Sequence, residues 1–260
     1  MEFLKCFGKF INNLRKIMKK SLLLILLFLL PITLLKAQGS KMFDAPFGVG
    51  GGYLATWNFV NTNSLNEALL SANFPELTNS GFYSSGGSGF VYIGFIPNLR
   101  IGGMGFGGST SEETVIGNEK RESIVSIGGG GVSIEYTLPF IKNFGVSLGF
   151  LLGGGSYQIE LFKNSGVFSW GEIINEISST SSSSNYSRRL VNNFFMLNPT
   201  INIEIPIYYL AAVRLGAGYS FTLGDTWEVE NGLELSDVPS DINGNHLYIQ
   251  AGIFLGLFSY

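Results

Sequence analysis

Polar and apolar residues alternate along most of this chain, the period of two that marks a β-strand with a different environment on each face. The pattern is clearest late in the sequence, where Thr200, Asn202 and Glu204 interleave with Ile201, Ile203, Ile205 and Ile207. It recurs where Arg214, Gly216, Gly218, Ser220 and Thr222 interleave with Leu215, Ala217, Tyr219, Phe221 and Leu223. Ser133, Glu135 and Thr137 oppose Val132, Ile134, Tyr136 and Leu138 in the same way. One face is aliphatic or aromatic and the other polar or small. Eight strands are predicted, over 47–59, 86–96, 99–109, 123–138, 144–160, 195–207, 210–223 and 246–260.

Only 13% of the residues are charged and 45% are hydrophobic, too little charge to cover a water-soluble surface. Beyond residue 37 no apolar run is long enough for a membrane helix, so the remaining way to satisfy backbone groups in lipid is a closed sheet. The fold class expected is therefore all-β: a closed antiparallel transmembrane β-barrel of about eight strands. A soluble sandwich is the competing reading, but it would carry polar outer faces.

The connections set an orientation. Those after the second, fourth and sixth strands are tight and hold Pro97, Pro139 and Pro206, while those after the first, third, fifth and seventh are long and polar. Short turns on one rim and long loops on the other place the prolines and both termini in the periplasm. Trp57 and Trp227 fall at the outer strand ends and Tyr136, Phe140, Phe144, Tyr208 and Tyr209 near the proline turns, as two interfacial girdles require.

With its alternating strands, proline turns and long opposite loops, the stretch from 45 to 260 resembles the small OmpA/OmpX-type outer-membrane barrels. The resemblance is architectural. It implies that the last strand, ending on Phe258-Ser259-Tyr260, is read by the barrel-assembly machinery. Here Ile249, Ala251, Ile253, Leu255 and Leu257 form one apolar face while Tyr260 has the other parity, which calls for a bulge near Gly252 or Gly256 or marks a weak signal.

The first 37 residues form a separate unit. Lys19 and Lys20, an apolar run from Leu22 to Leu35 and Leu35-Lys36-Ala37-Gln38 read as a secretory signal cleaved after Ala37, with Met18 as the true start and residues 1–17 as a basic prelude. An uncleaved anchor is the rival, but the run is short and Pro31 breaks it. Residues 38–260 are the barrel domain. The sole cysteine, Cys6, leaves with the signal, so no disulfide or thiol chemistry follows. Removing residues 1–37 takes away seven of 16 basic residues and one of 19 acidic ones, leaving a net charge near −9 that argues against a nucleic-acid partner. The partners expected are outer-membrane lipid, the assembly machinery and an exterior ligand that the sequence does not name.

Glycines inside the strands, at 102–108, 128–131 and 153–155, are expected to relieve crowding in a narrow barrel and to permit bulges. The mixed parity of Phe144 to Glu160 predicts that the fifth strand flips its faces at Gly153-Gly154-Gly155. Gly103-x-Gly105-x-Gly107 lies within a strand and is no nucleotide loop.

Four charges share the inward parity near the periplasmic rim: Arg100 and Glu135 on neighbouring strands, and Glu204 opposite Arg214 across a hairpin. An ion-pair plug of the lumen is the reading preferred, with a proton or ion path as the alternative. In the first loop, Ser64-Leu65-Asn66-Glu67 has the spacing of a capping box and predicts a short helix that seals the mouth or acts as a lid. The third loop carries a serine run at 178–184. The fourth bears Asp225, Glu228, Glu230, Glu234, Asp237 and Asp241 without Lys or Arg, a solvated acidic surface or a divalent-cation loop.

No cofactor is expected, and catalysis has little support. The single histidine, His246, at the outer end of the last strand, would serve a lipid acyl hydrolase or transferase, but no distinctive nucleophile accompanies it. The functional expectation is a non-enzymatic outer-membrane barrel with a role in envelope structure or surface and ligand binding. A lipid-modifying enzyme and a narrow channel or transport component are its rivals.

Overall fold

The computed structural model describes residues 48–139, 144–166, 169–178, 185–208 and 210–257. The expectations for the signal segment, Phe140, Tyr209, the serine run from 179 to 184 and Phe258-Ser259-Tyr260 lie outside these residues.

Ten strands are described: β1 (Val49–Val60), β2 (Phe82–Tyr92), β3 (Leu99–Ile116), β4 (Glu119–Thr137), β5 (Gly145–Ser165), β6 (Tyr186–Tyr208), β7 (Ala211–Leu223), β8 (Trp227–Val229), β9 (Leu233–Leu235) and β10 (His246–Leu257). Two helices, α1 (Asn63–Ser71) and α2 (Trp170–Ser178), lie in the first and third loops. Strands β1 to β7 and β10 pair antiparallel in one ring, closed by β5 with β6 and by β1 with β10. The expected closed eight-stranded barrel with a short helix in its first long loop holds. The remaining two strands form a small hairpin docked on β6 at Val191 and Asn192.

The register fixes the barrel's width. Stepping between paired residues from Gly48 through Tyr92, Arg100, Glu135, Gly149, Thr200, Gly218 and Tyr248 returns to β1 at Asn58, ten residues further on. A stagger of ten over eight strands tilts them by about 40° and sets the backbone about 8 Å from the axis. Side chains fill such an interior.

Alternation decides which residues face it. On β5 the inward row runs Ser147, Gly149, Leu151, Gly153, Gly155, Tyr157, Ile159, and the outward row Val146, Leu148, Phe150, Leu152, Gly154, Ser156, Gln158, Glu160. The pairings of β5 with β4 and β6 continue without a shift through the glycines, so the predicted face flip does not occur. What changes is the surroundings. The outward row turns polar because the strand leaves an apolar zone, while the inward row turns apolar because a second core begins above it.

That upper core joins Val125, Ile127, Tyr157, Ile159, Phe194 and Met196 of the strands to Leu65 and Leu69 of α1, Phe74, Leu77, Trp227 and Ile242. It explains why β3 to β6 are longer than expected. The polar stretch around Ser111, expected as a loop, is a regular ladder with β4 that turns through Gly117-Asn118, where Gly117 has φ +64°. Its alternating Ser, Thr and Glu suit an extended strand in water.

Three smaller expectations also change. Strand β2 lies four residues earlier than predicted, because Ile93–Asn98 makes the tight turn, with the Ile93 N–H donating to Leu99 O at 2.9 Å and Asn98 left-handed at φ 65°. Strand β10 pairs with β1 without interruption from His246 to Leu257, so no bulge arises at Gly252 or Gly256. Helix α1 starts earlier than the capping box predicts: Thr62 is the N-cap, and the Ser64 hydroxyl instead donates to Asp241. Leu65 and Leu69, four residues apart, share the buried face of this helix.

Candidate functional site

Four inward positions near the proline turns bring charges to one level of the lumen. Arg100 of β3 and Glu135 of β4 are direct cross-strand partners, as are Glu204 of β6 and Arg214 of β7. Arg100 Nε donates to Glu135 Oε2 at 2.6 Å, and Arg214 Nε donates to Glu204 Oε1 at 2.7 Å. The two neighbour pairs are also joined across the barrel: Arg100 Nη1 reaches Glu204 Oε2 at 2.8 Å and Arg214 Nη1 reaches Glu135 Oε1 at 3.1 Å. The result is a closed ring of alternating charge, with net charge zero.

Burial makes the ring energetically consequential. Arg100 and Arg214 are 1% and 2% exposed. Taking such charges out of water is costly unless every donor and acceptor is satisfied. Ser147 accepts from Arg100 Nη2 at 2.9 Å, and Asn202 donates to Glu135 Oε1 at 3.4 Å. Phe254 lies under Arg214, 4.3 Å from guanidinium carbon to ring centre, and Phe90 under Arg100 at 4.5 Å. Ser147 and Asn202 share the inward parity of the charges and were legible on that ground. The two phenylalanines come from β2 and β10, and no local pattern ties them to the arginines.

The other candidate residues disperse. The carboxylates of the fourth loop do not converge, and no metal-holding group of three acidic, His or Cys side chains occurs among the described residues. Glu228 and Glu234 sit opposite each other on the β8–β9 hairpin, Glu230 accepts from the Arg189 N–H at 2.7 Å, and Asp241 is taken by Ser64. Asp225 and Asp237 are exposed. The hairpin geometry spreads these carboxylates along strands instead of folding them round a centre.

Trp227 is not a girdle residue. It is 3% exposed and packs edge-on against Tyr157, ring centres 5.8 Å apart, in the upper core. The fourth loop folds inward over the barrel mouth, which a strand-end assignment does not foresee. Trp57 faces outward, donating from Nε1 to Ser80 O at 2.9 Å, and Tyr136 and Tyr208 are likewise exposed on the outside.

His246 also points inward. It is 2% exposed, its Nδ1 bonds Gly244 O at 2.7 Å, and it shares the lumen with Tyr248 at 5.9 Å between ring centres. The parity of β10 turns it away from the lipid face.

No family model matches the chain, and no curated protein matches it in sequence. Among solved structures it is similar to a major outer membrane protein from Thermus thermophilus, with 6% identity and a TM-score of 0.47 over 80% of this chain and 98% of that one. It is also similar to Ail, the attachment invasion locus protein of Yersinia pestis, crystallised with the heparin analogue sucrose octasulfate, at 11% identity and a TM-score of 0.39 over 81% and 97%. A third is the outer membrane protease OmpT from Escherichia coli, at 9% identity and a TM-score of 0.33 over 84% and 99%. At this level of overlap none of the three lends its activity to the chain.

Proposed function

We propose that this chain is a non-enzymatic surface-binding protein of the bacterial outer membrane. In this reading the barrel is a closed anchor, and the projecting half of its sheet is the part that meets a partner. The exterior supports the location: Tyr53, Ile201, Ile203, Leu215, Ile249 and Ile253 stand among many large apolar side chains on the outside, a face that lipid covers and water does not. The charge ring supports closure, since it fills the bore of a barrel whose backbone lies about 8 Å from the axis.

One observation carries the binding role. Strand β2 pairs with β3 only from Ser85 opposite Gly107 to Tyr92 opposite Arg100, so the outer stretch of β3, Ser109–Ile116, has β4 on one side and no described strand on the other. Polar residues take over the outward rows at Ser126 and Ser156, and β3 to β6 continue for roughly another 20 Å beyond the apolar zone. A free edge of this kind accepts an extended segment as an added strand. Two copies pairing antiparallel about the centre would place Glu112 and Glu113 against their counterparts, which disfavours self-association and favours a segment bearing Lys or Arg.

An alternating Lys-Val peptide, added to the protein in detergent micelles, is expected to slow amide hydrogen exchange over Ser109–Ile116. Exchange should stay unchanged over β7. Replacing Ser111 with Pro, which removes a backbone donor at an exposed edge, should abolish that protection without unfolding the barrel. Equal slowing in the proline variant would show that the edge is not the contact.

The reading also requires one orientation, with long loops outside and proline turns in the periplasm. Single cysteines in place of Asn73, Ser111, Ser182 or Asp237 should react with a membrane-impermeant thiol reagent on intact cells, and cysteines in place of Pro97, Pro139 or Pro206 should not. Labelling at Pro97 without labelling at Ser182 would invert the barrel and end the surface-binding proposal.

A further inference from the structure

Between the charge ring and the upper apolar core lies a stretch of lumen whose polar groups lack partners. On β1, β10 and β7 the inward positions include Thr56, Asn58, Ser220, His246 and Gln250, all at most 6% exposed. Thr56 is the cross-strand partner of Gln250 and Ser220 that of His246, so these side chains occupy one continuous patch of inner wall. Yet Thr56 Oγ1, Asn58 Oδ1, Gln250 Oε1, Ser220 Oγ and His246 Nε2 bond to no protein group.

Three of these five atoms can only accept. The amide nitrogen of Asn58 is engaged by Ser84 Oγ at 2.8 Å, and that of Gln250 by Asn202 Oδ1 at 2.7 Å, which leaves a bare acceptor on each side chain. The histidine supplies a third. Its Nδ1 faces the Gly244 carbonyl, which can only accept, so Nδ1 carries the proton and Nε2 of the neutral ring is left as an acceptor. The two hydroxyls can give or take. Leaving buried acceptors empty is costly, and native interiors fill such positions with bound donors.

We propose that this wall is a binding site for small hydrogen-bond donors, namely water or the ammonium head of a small amine, held at Asn58, Gln250 and His246 with Thr56 and Ser220 beside them. Two glycines make room for this polar set to pack against the wall: a Cβ on Gly218 would fall 2.5 Å from the Tyr248 hydroxyl, and one on Gly216 would meet Asn202 Oδ1 and, at 2.9 Å, Gln250 Nε2. The site stands apart from the surface-binding reading, which needs only a closed lumen. The ring below and the apolar core above enclose it, so its occupants are small.

Two hydroxyl deletions decide between an occupied and a dry wall. Thr56→Val and Ser220→Ala remove atoms that have no protein partner and keep the shape of the wall. Where a donor is bound, each variant loses a hydrogen bond and the urea midpoint of the purified barrel in detergent should fall. In a dry lumen each variant removes an unsatisfied polar atom, the midpoint should rise, and the proposal is overturned. The source of the donor is read by repeating wild-type unfolding in methylammonium chloride and in tetramethylammonium chloride at equal concentration. A higher midpoint in methylammonium alone, lost in His246→Phe, identifies the amine. Equal midpoints in the two salts, together with the fall in the deletion variants, identify water.

Discussion

Arg214→Leu should lower the unfolding free energy of the barrel by about 3–5 kcal/mol, the cost expected when one member of a buried, hydrogen-bonded charge group is removed. Arg214 touches both carboxylates of the ring, Glu135 at 3.1 Å and Glu204 through Nε at 2.7 Å. Without it, Arg100 alone faces two buried acids, and the lumen carries an uncompensated negative charge. The loss arises less from the missing attraction than from the acid left behind. A double variant, Arg214→Leu with Glu204→Leu, restores neutrality and should recover much of the stability, although either single change is damaging. Urea midpoints followed by tryptophan fluorescence measure both. A single variant as stable as wild type would mean that water screens the ring, and higher conductance in planar bilayers would then mark a passage instead of a plug.

The ring was partly legible because parity along a strand survives whatever the strand is packed against. Arg100, Glu135, Glu204 and Arg214 share the inward row by counting residues, and two neighbour pairs follow from adjacent strands. Contacts across the lumen, such as Arg100 with Glu204, depend on the stagger of ten, which requires the register of every strand at once. The same limit applies to β5. Its outward row passes from Leu152 to Gln158 and its inward row from Gly149 to Ile159, so polarity exchanges sides while geometry does not. A period of two reports which residues share a face, but the identity of the medium on that face changes with height. Reading polarity as direction produced a flip that the ladder does not contain. Trp227 and the fourth loop escaped for a related reason: an acidic, loop-like composition hides Trp227, Leu235 and Ile242, which are drawn onto the barrel mouth by α1 and the upper strands.

Glycine substitutions should divide by how closely the neighbouring backbone approaches. Gly131 of β4 and Gly153 of β5 are cross-strand partners on the inward row, and there the two backbones approach so closely that a side chain has nowhere to go. A Cβ on Gly131 would fall 2.6 Å from Gly153 Cα, and one on Gly153 would fall 2.7 Å from Gly131 Cα. Backbone cannot swing aside as a side-chain tip can. Gly131→Ala and Gly153→Ala should each cost about 1–3 kcal/mol or more through overpacking, and the pair together should prevent closure. The outward glycines of β3 meet no such obstacle: the nearest atom to a Cβ on Gly103 is 3.5 Å away, and on Gly105 it is 3.8 Å away. There alanine removes the entropic penalty of glycine and adds apolar surface facing lipid, so Gly105→Ala should stabilise by about 0.5–1 kcal/mol. Refolding yield into micelles, read as the shift between heat-modified and native mobility on gels, separates the two sets, and urea midpoints give the sign. Equal tolerance at Gly131 and Gly105 would mean that β4 and β5 are not drawn together at this level. The narrow lumen that holds the charge ring would then lose its structural basis.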